Sequence, residues 1–355
     1  MASKYIVADL KPPPMKQFLL LVVFIFSCIV SKAQDYRFSQ FYNSPLNLNP
    51  ALTGKVDASF RVAFNYRNQW FNVADKPYIT YAGSFDAPIL LKKDALGIGL
   101  QIVNDRTNNG IYNHIVINAS FAYHKAIGKK HSLTLGLQGG YSQRNLDRNN
   151  LRFFNQIDGS NGFNNNLPTG ETDIATNSGY FDMGIGLLGN FRFGEKVNTY
   201  VGGALAHVLQ PKEQFLGGGE YELKRKYTAH AGLEYRASSL IRVLPSVIYL
   251  NQAKMSELNL GLSLGFDVME KVVLYGGGYY RLTNKLNGGF GASDAVIAYT
   301  AFEFQPIRLG FSYDVTLSPL INTPNSTGSF EVSLIITPRL ANSKLPDLLL
   351  FCPRF

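Results

Sequence analysis

Residues 258–268 read Leu258-Asn-Leu-Gly-Leu-Ser-Leu-Gly-Phe-Asp-Val268. Leu258, Leu260, Leu262, Leu264, Phe266 and Val268 fall on one parity. Asn259, Gly261, Ser263, Gly265 and Asp267 fall on the other. Successive side chains of a strand point to opposite faces, so this is a strand with one apolar and one polar face. Ile307 to Ser318 divides the same way: Ile307, Leu309, Phe311, Tyr313, Val315 and Leu317 alternate with Arg308, Gly310, Ser312, Asp314, Thr316 and Ser318. Leu133–Tyr141, Tyr227–Arg236, Phe330–Thr337 and Phe60–Arg67 follow the pattern.

Working outward, fourteen such segments are predicted: 56–69, 77–89, 95–105, 112–126, 131–145, 177–193, 196–208, 225–238, 241–251, 255–268, 271–282, 290–304, 306–317 and 327–338. Most span about 11 to 14 residues, enough for a tilted transmembrane strand, which needs about 9 to 11. Soluble strands average only about 5 to 6. The links alternate between short and long. The short ones are 90–94, 128–130, 194–195, 238–239, 269–270 and Gln305; the long ones include 106–111, 146–176, 209–224, 283–289 and 318–326. Outer-membrane barrels have short periplasmic turns, long outer loops and an even strand number. The expectation is therefore an all-β chain: a transmembrane antiparallel β-barrel of the outer membrane with about 14 strands, apolar faces on lipid and both ends in the periplasm. A closed barrel leaves no backbone edge unpaired in the bilayer.

Composition agrees. Of 355 residues only 17% are charged, against about 25% in soluble domains. Aromatics reach 13%, with 25 Phe and 20 Tyr, and there are 33 Gly. Arg61, Asn65, Arg67, Gln101, His124, Gln138, Arg192, His230, Glu234, Arg236, Asp267, Arg308, Asp314 and Glu331 are expected inside the lumen, pairing across it so that no wide channel remains. Aromatics at strand ends, such as Tyr66 with Trp70 and Phe71, Tyr279 with Tyr280, and Phe302 with Phe304, are read as interfacial girdles. The net charge of +9 is scattered, with no long Lys/Arg block, so no nucleic acid is expected as a partner.

The chain divides into four parts. Residues 1–33 read as a signal peptide, with Met15 an alternative start: Lys16 is the basic n-region, Phe18–Val30 the apolar h-region, and Ser31-Lys32-Ala33 the cleavage site. About 13 apolar residues are too few for a spanning helix, which needs about 20. Residues 34–55 form a periplasmic N-terminal segment, 56–338 the barrel, and 339–355 a periplasmic C-terminal tail. Cys28 falls in the leader, so Cys352 is left without a partner and no disulfide framework exists.

No catalytic, cofactor or metal residues are expected. His114, His124, His131, His207 and His230 lack metal-ligand spacing, and there is no nucleophile elbow or phosphate loop. Asp158–Asn166 has clustered oxygen ligands without the order of a calcium loop. A barrel hydrolase stays open as a third reading, because Ser, His and an acid can converge from separate strands.

After the leader comes Phe38-Ser-Gln-Phe-Tyr-Asn-Ser-Pro-Leu-Asn-Leu-Asn-Pro-Ala-Leu-Thr-Gly54, with Gln40, Pro45, Asn49, Pro50, Ala51 and Gly54. Then follow Tyr66-Arg67-Asn68-Gln69-Trp70, Tyr81-Ala-Gly-Ser-Phe-Asp86, Leu309–Val315, Gly328–Leu334 and a terminal Cys352-Pro353-Arg354-Phe355. In this order, over about Gln34 to Phe355, the motifs resemble the type IX secretion system membrane protein family PorP/SprF of Bacteroidota. The resemblance implies an outer-membrane component of type IX secretion that supports export or anchoring of a large adhesin-type surface protein with a C-terminal sorting domain. It also implies periplasmic secretion partners and, in gliding bacteria, a link to motility. The alternative from another class is a porin or ligand-transport barrel for small solutes. The tail after Pro338 departs from the usual barrel, which ends at its last strand.

Pro45, Pro50 and Gly54 break regular structure, and Asn47 and Asn49 can cap turns. The segment is therefore expected to pack across the periplasmic mouth, either as a docking surface or as a structural lid. Replacing Asn49 and Pro50 together by Ala separates the two. Docking predicts normal barrel levels with lost adhesin export, read by immunoblot of cells and surface fraction; normal levels with normal export exclude it.

Overall fold

The computed structural model describes residues 35–71, 77–107, 110–158, 162–164, 166–170, 176–214, 220–285, 288–319 and 328–339. The leader 1–33 and the tail residues 340–355, with Cys352 to Phe355, lie outside the described residues, as does part of Asp158–Asn166.

Fourteen antiparallel strands close into a barrel in which each strand pairs with its chain neighbour and the last pairs with the first. They are β1 (Arg61–Gln69), β2 (Tyr78–Leu90), β3 (Ala95–Thr107), β4 (Tyr112–Ile127), β5 (His131–Leu146), β6 (Asn177–Phe193), β7 (Val197–Ala206), β8 (Lys226–Arg236), β9 (Ile241–Gln252), β10 (Met255–Met269), β11 (Val272–Asn284), β12 (Phe290–Phe304), β13 (Ile307–Thr316) and β14 (Ser329–Ile336). The seam pairs Arg67 with Glu331 and Asn65 with Ser333. No helix of the described residues is long and apolar enough to cross a membrane.

The period-two pattern sets the two faces. In β10, Leu260, Leu262 and Phe266 point outward while Glu257, Asn259 and Ser263 are buried inside. Ile98, Leu100 and Ile102 on β3 and Leu133, Leu135 and Leu137 on β5 continue the outer apolar face. Such a belt would be a liability in water and suits a lipid-facing wall. Trp70 with Tyr78 (ring centroids 5.3 Å apart) and Tyr66 with Tyr81 (5.2 Å) lie toward the long-loop end. Phe302 and Phe304 are exposed at the other end.

Three expectations need correction. Tyr279 belongs to no girdle: it is buried in the lumen, as are Tyr200, Tyr275 and Tyr299, because the inner wall has an aromatic sector. The alternation of links is lost at 108–111, no longer than the inner link 91–94, and reverses where Ala253-Lys254 makes a two-residue turn at the long-loop end, with Ala253 at φ 54°. The third concerns residues 36–58. They do not lie across the mouth; they run inside the barrel. The Tyr36 ring lies tilted against His114, by the long-loop end (centroids 6.2 Å apart), and the chain descends to Lys55, whose Nζ reaches Ser132 and Thr134 near the short-turn end. β1 starts only at Arg61, because the chain must first leave the lumen and join the wall, where Ser59 N donates to Pro338 O (2.9 Å). At Tyr36 the chain is thus in the outer half of the lumen, away from the periplasmic end.

Lumen-facing glycines make room for this plug. A Cβ on Gly97 would meet the carbonyl of Thr53, and one on Gly136 would meet the Pro50–Ala51 backbone. Gly54, at φ +67°, passes directly against Gly97. Gly136→Val is accordingly expected to lower stability in detergent by about 1–3 kcal/mol through overpacking. Gly276→Ala, whose Cβ meets nothing, should change it by less than about 0.5 kcal/mol. Thermal unfolding followed by heat-modifiable electrophoretic mobility reads both.

Candidate functional site

The lumen and its plug are the site. Short turns fold the segment into a rod narrow enough to fit. A 3-10 turn covers Phe41–Asn43, a single helical turn Pro45–Leu48, and a second 3-10 turn Pro50–Leu52. Proline suits the first position of each of the last two, since its missing N–H has no partner there in any case. Asn49 caps the last turn, its Oδ1 accepting from Ala51 N at 2.9 Å.

One side of the rod is apolar. Phe41, Tyr42, Leu48, Ala51 and Leu52 pack on Leu188, Tyr200, Ile248, Tyr279, Ile297 and Tyr299 of the wall. Phe41 meets Tyr279 edge-on at 5.4 Å and Tyr42 meets Tyr200 at 5.5 Å. Full burial of one such side chain stabilises by roughly 1.5–3 kcal/mol.

Polar anchors hold the rod at three heights. Near the long-loop end, Glu331 accepts from the backbone N–H groups of Ser39 and Gln40, the latter at 2.8 Å, and pairs with Arg67. Asp314 accepts from Ser39 Oγ (2.6 Å), Arg67 (3.1 Å) and Arg281 (2.8 Å). Arg281 also reaches Asp294 (2.7 Å), and Arg37 pairs with Glu257. At mid-height Asn43 donates to Ser333 Oγ (2.8 Å) and Gln40 Oε1 (2.9 Å). Asn49 Nδ2 donates to the carbonyls of Leu187 (3.0 Å) and Gly203 (3.3 Å) and lies 3.0 Å from His230 Nε2. Near the short-turn end, Thr53 Oγ1 bonds Ser120 (2.9 Å), and His124 Nε2 donates to Thr53 O (2.9 Å). Asp86 accepts from Gly54 N (2.6 Å) and from both Nε and Nη2 of Arg61. Above the plug, the hairpin of Lys212–Gln214 with Glu220–Glu222 sends Glu213 down to pair with buried Arg144.

The motif residues are thereby located. Gln40, Pro45, Asn49, Pro50, Ala51 and Gly54 are buried in the plug, and their contacts are with the barrel's own wall. Arg67 is in the charge cluster. Asn68 and Gln69 end β1, and Trp70 follows at φ 58°. Most residues expected in the lumen are there, but their ion pairs run along the wall and not across it: Arg61–Asp86, Arg67–Glu331, Arg242–Asp267 and Arg308–Glu303 each join neighbouring strands. Arg236 is exposed at the rim.

Sequence reasoning missed Ser39, Asn43, Lys55, Asp86 and Arg281. Parity could have found Arg281, which shares a face with Tyr275, Gly277 and Tyr279, had those tyrosines been read as inward. Asp86 stood in a quoted motif without a role; its parity, opposite to Phe85, pointed inward.

The hydrolase reading meets one partial match. His114 Nε2 lies 2.7 Å from Ser142 Oγ, and Asp105 is paired opposite His114. Asp105 also accepts from Thr80 (2.6 Å), and Ser142 is only 3% exposed, which leaves its hydroxyl little room for a substrate carbonyl. Among the described residues no cluster of three or more His, Cys, Asp or Glu could hold a metal.

A family model described as type IX secretion system membrane protein PorP/SprF matches residues 30–336. No curated protein matches the chain. Among solved structures the barrel is similar to the toluene transporter TbuX of Ralstonia pickettii, with 11% identity, 84% of this chain on 94% of that one, and a TM-score of 0.51. A deltaS2 mutant of the monoaromatic hydrocarbon channel TodX matches with the same identity, coverage and TM-score. At this identity the likeness carries the outer-membrane barrel fold and nothing finer.

Glu331 is the test of the plug's outer anchor. Glu331→Ala leaves two plug N–H groups without their acceptor and Arg67 with Asp314 as its remaining carboxylate, an expected cost of about 3–5 kcal/mol. It should also raise amide exchange at residues 38–41. Glu331→Gln keeps a carbonyl acceptor and should give a smaller increase, read by hydrogen–deuterium exchange mass spectrometry.

Proposed function

Because the chain belongs to the PorP/SprF family of type IX secretion system membrane proteins, we propose that this outer-membrane barrel supports export or surface anchoring of a large adhesin-type protein carrying a C-terminal sorting domain, and acts by protein contact. Its periplasmic mouth faces other secretion components, a cleavable leader over residues 1–33 brings it to the outer membrane, and in a gliding organism it contributes to motility. The observation that carries this reading is the plugged lumen. Residues 38–56 are held there by apolar packing and by polar anchors at three heights. An exported protein domain has no room beside them, so the barrel's part in secretion is to hold and position. The motif residues from Gln40 to Gly54 serve this role by fixing the plug and, through it, the shape of both mouths.

A second reading has its own support. The lumen wall has an apolar aromatic sector, and the solved barrels of like fold are described as a toluene transporter and a monoaromatic hydrocarbon channel. A small apolar solute could use such a wall if the plug moved.

Deletion of the gene is expected to abolish surface display of one large sorting-domain protein while leaving outer-membrane permeability unchanged. Purified barrel in planar bilayers is expected to show no steady conductance. Retained surface display with reduced uptake of toluene would replace the secretion reading by the transport one.

A further inference from the structure

A cavity of about 710 Å³ opens at the short-turn end of the lumen, beside the base of the plug. Its inner end is formed by Tyr42 and Val56 of the plug, so it stops inside the barrel. A blind vestibule of this kind holds a ligand and does not conduct it.

Its charges are unequal. Arg61 is neutralised by Asp86, Arg242 by Asp267, Arg308 by Glu303 and Arg339 by Asp57. Arg236 shares Glu234 at 3.6 Å. Two lining cations then remain, Arg192 and Lys271, and among the described residues no carboxylate pairs with either. Arg192 is already oriented: its Nε donates to Asn198 Oδ1 at 2.9 Å, which leaves the Nη side of the fork for an acceptor. Asn190, the next lumen-facing residue inward on β6, is buried with neither amide atom partnered. A planar fork matches a carboxylate bidentately, and an oriented one loses less freedom on binding.

We propose that this vestibule docks a carboxylate-bearing polypeptide segment of a periplasmic partner. The inference rests on the reading above that this mouth faces secretion components. Three features favour a polypeptide over a simple anion. The cavity has the volume of a pocket for a sizeable ligand, typically about 300–1,000 Å³. Ile307, Ile335, Pro306 and Pro338 set apolar surface between its charges. Its two spare cations lie on separate parts of the wall, Arg192 on β6 and Lys271 in the β10–β11 turn, which suits carboxylates spaced along a chain. A lipid headgroup would have to pull its tails out of the bilayer to enter from inside the rim.

The test uses the full chain purified in zwitterionic detergent and a fluorescent peptide of alternating Glu and Leu, with Gln-for-Glu and Lys-for-Glu twins, read by anisotropy. The Glu peptide is expected to bind and its twins are not. Arg192→Gln with Lys271→Gln should weaken binding about tenfold or more, the scale of lost charge-assisted contacts. Lys254→Gln with Lys285→Gln, at the long-loop end, should leave it unchanged. Unaltered heat-modifiable mobility verifies that each variant is folded. Equal binding of the Glu and Gln peptides, equal behaviour of the two double variants, or full displacement by inorganic phosphate at the peptide's own concentration overturns the proposal. The secretion reading fails separately: it falls if the deletion strain exports its cargo normally, whatever the peptide does.

Discussion

A closed sheet of fourteen strands encloses more space than its own side chains can fill. Eight strands leave an interior that side chains just occupy, and sixteen to eighteen leave an aqueous channel. The barrel here lies between those sizes, and everything inside it answers that constraint. The wall pairs most of its own arginines and carboxylates, but it cannot cover its aromatic sector, and Glu257 takes its partner, Arg37, from outside the wall. The chain supplies the missing material from its own N-terminal side, as the segment from Tyr36 to Ala58. Glycines at Gly97 and Gly136 remove the side chains that would keep that segment off the wall. The backbone N–H groups of Ser39 and Gln40 give Glu331 partners that neighbouring strands do not provide.

Such a filler must be polar and apolar in register with the wall. The apolar side of the plug meets β6, β7, β9, β11 and β12, where Leu188, Tyr200, Ile248, Tyr279 and Ile297 face inward. The polar side meets β1, β13 and β14 at one height and β2, β4 and β5 at another. Removing one member of the charge cluster is costly because the rest stay buried without it, whereas the intact cluster adds little net stability. Its value is in specificity: it fixes which height of the plug sits at which height of the wall.

The barrel was legible from the sequence because its signal is local. Alternation in β10 and β13 needs only that one face meet lipid, and strand bounds follow to within a few residues. The path of the plug was not legible, for a physical reason. Prolines and asparagines in 43–50 announce turns, but turns look alike whether they cross a mouth or descend a lumen; only the distant partners Glu331, Gly203 and Ser120 distinguish the two. The inward tyrosines failed for a related reason. Tyr279 and Tyr280 are adjacent and chemically identical, and parity alone sends one to Phe41 and the other outward. Composition could not separate them, because the lumen here needs aromatic surface to match its plug.

The manner of sealing also bears on what the barrel can contribute to secretion. The plug continues directly into β1, so it cannot leave the lumen without passing the short-turn mouth or disturbing the first strand. Release would break anchors at three heights at once. It would also expose the inner faces of Leu188, Ile248 and Tyr279 to water. A ligand that opened the barrel would have to bind the open state better by the sum of those terms, since a ligand shifts an equilibrium only by its differential affinity. A contact at the vestibule, where the plug already ends, needs no such opening. The least costly way for this fold to serve an export machine is therefore as a rigid, closed body with one outward-facing loop end and one charged inner mouth.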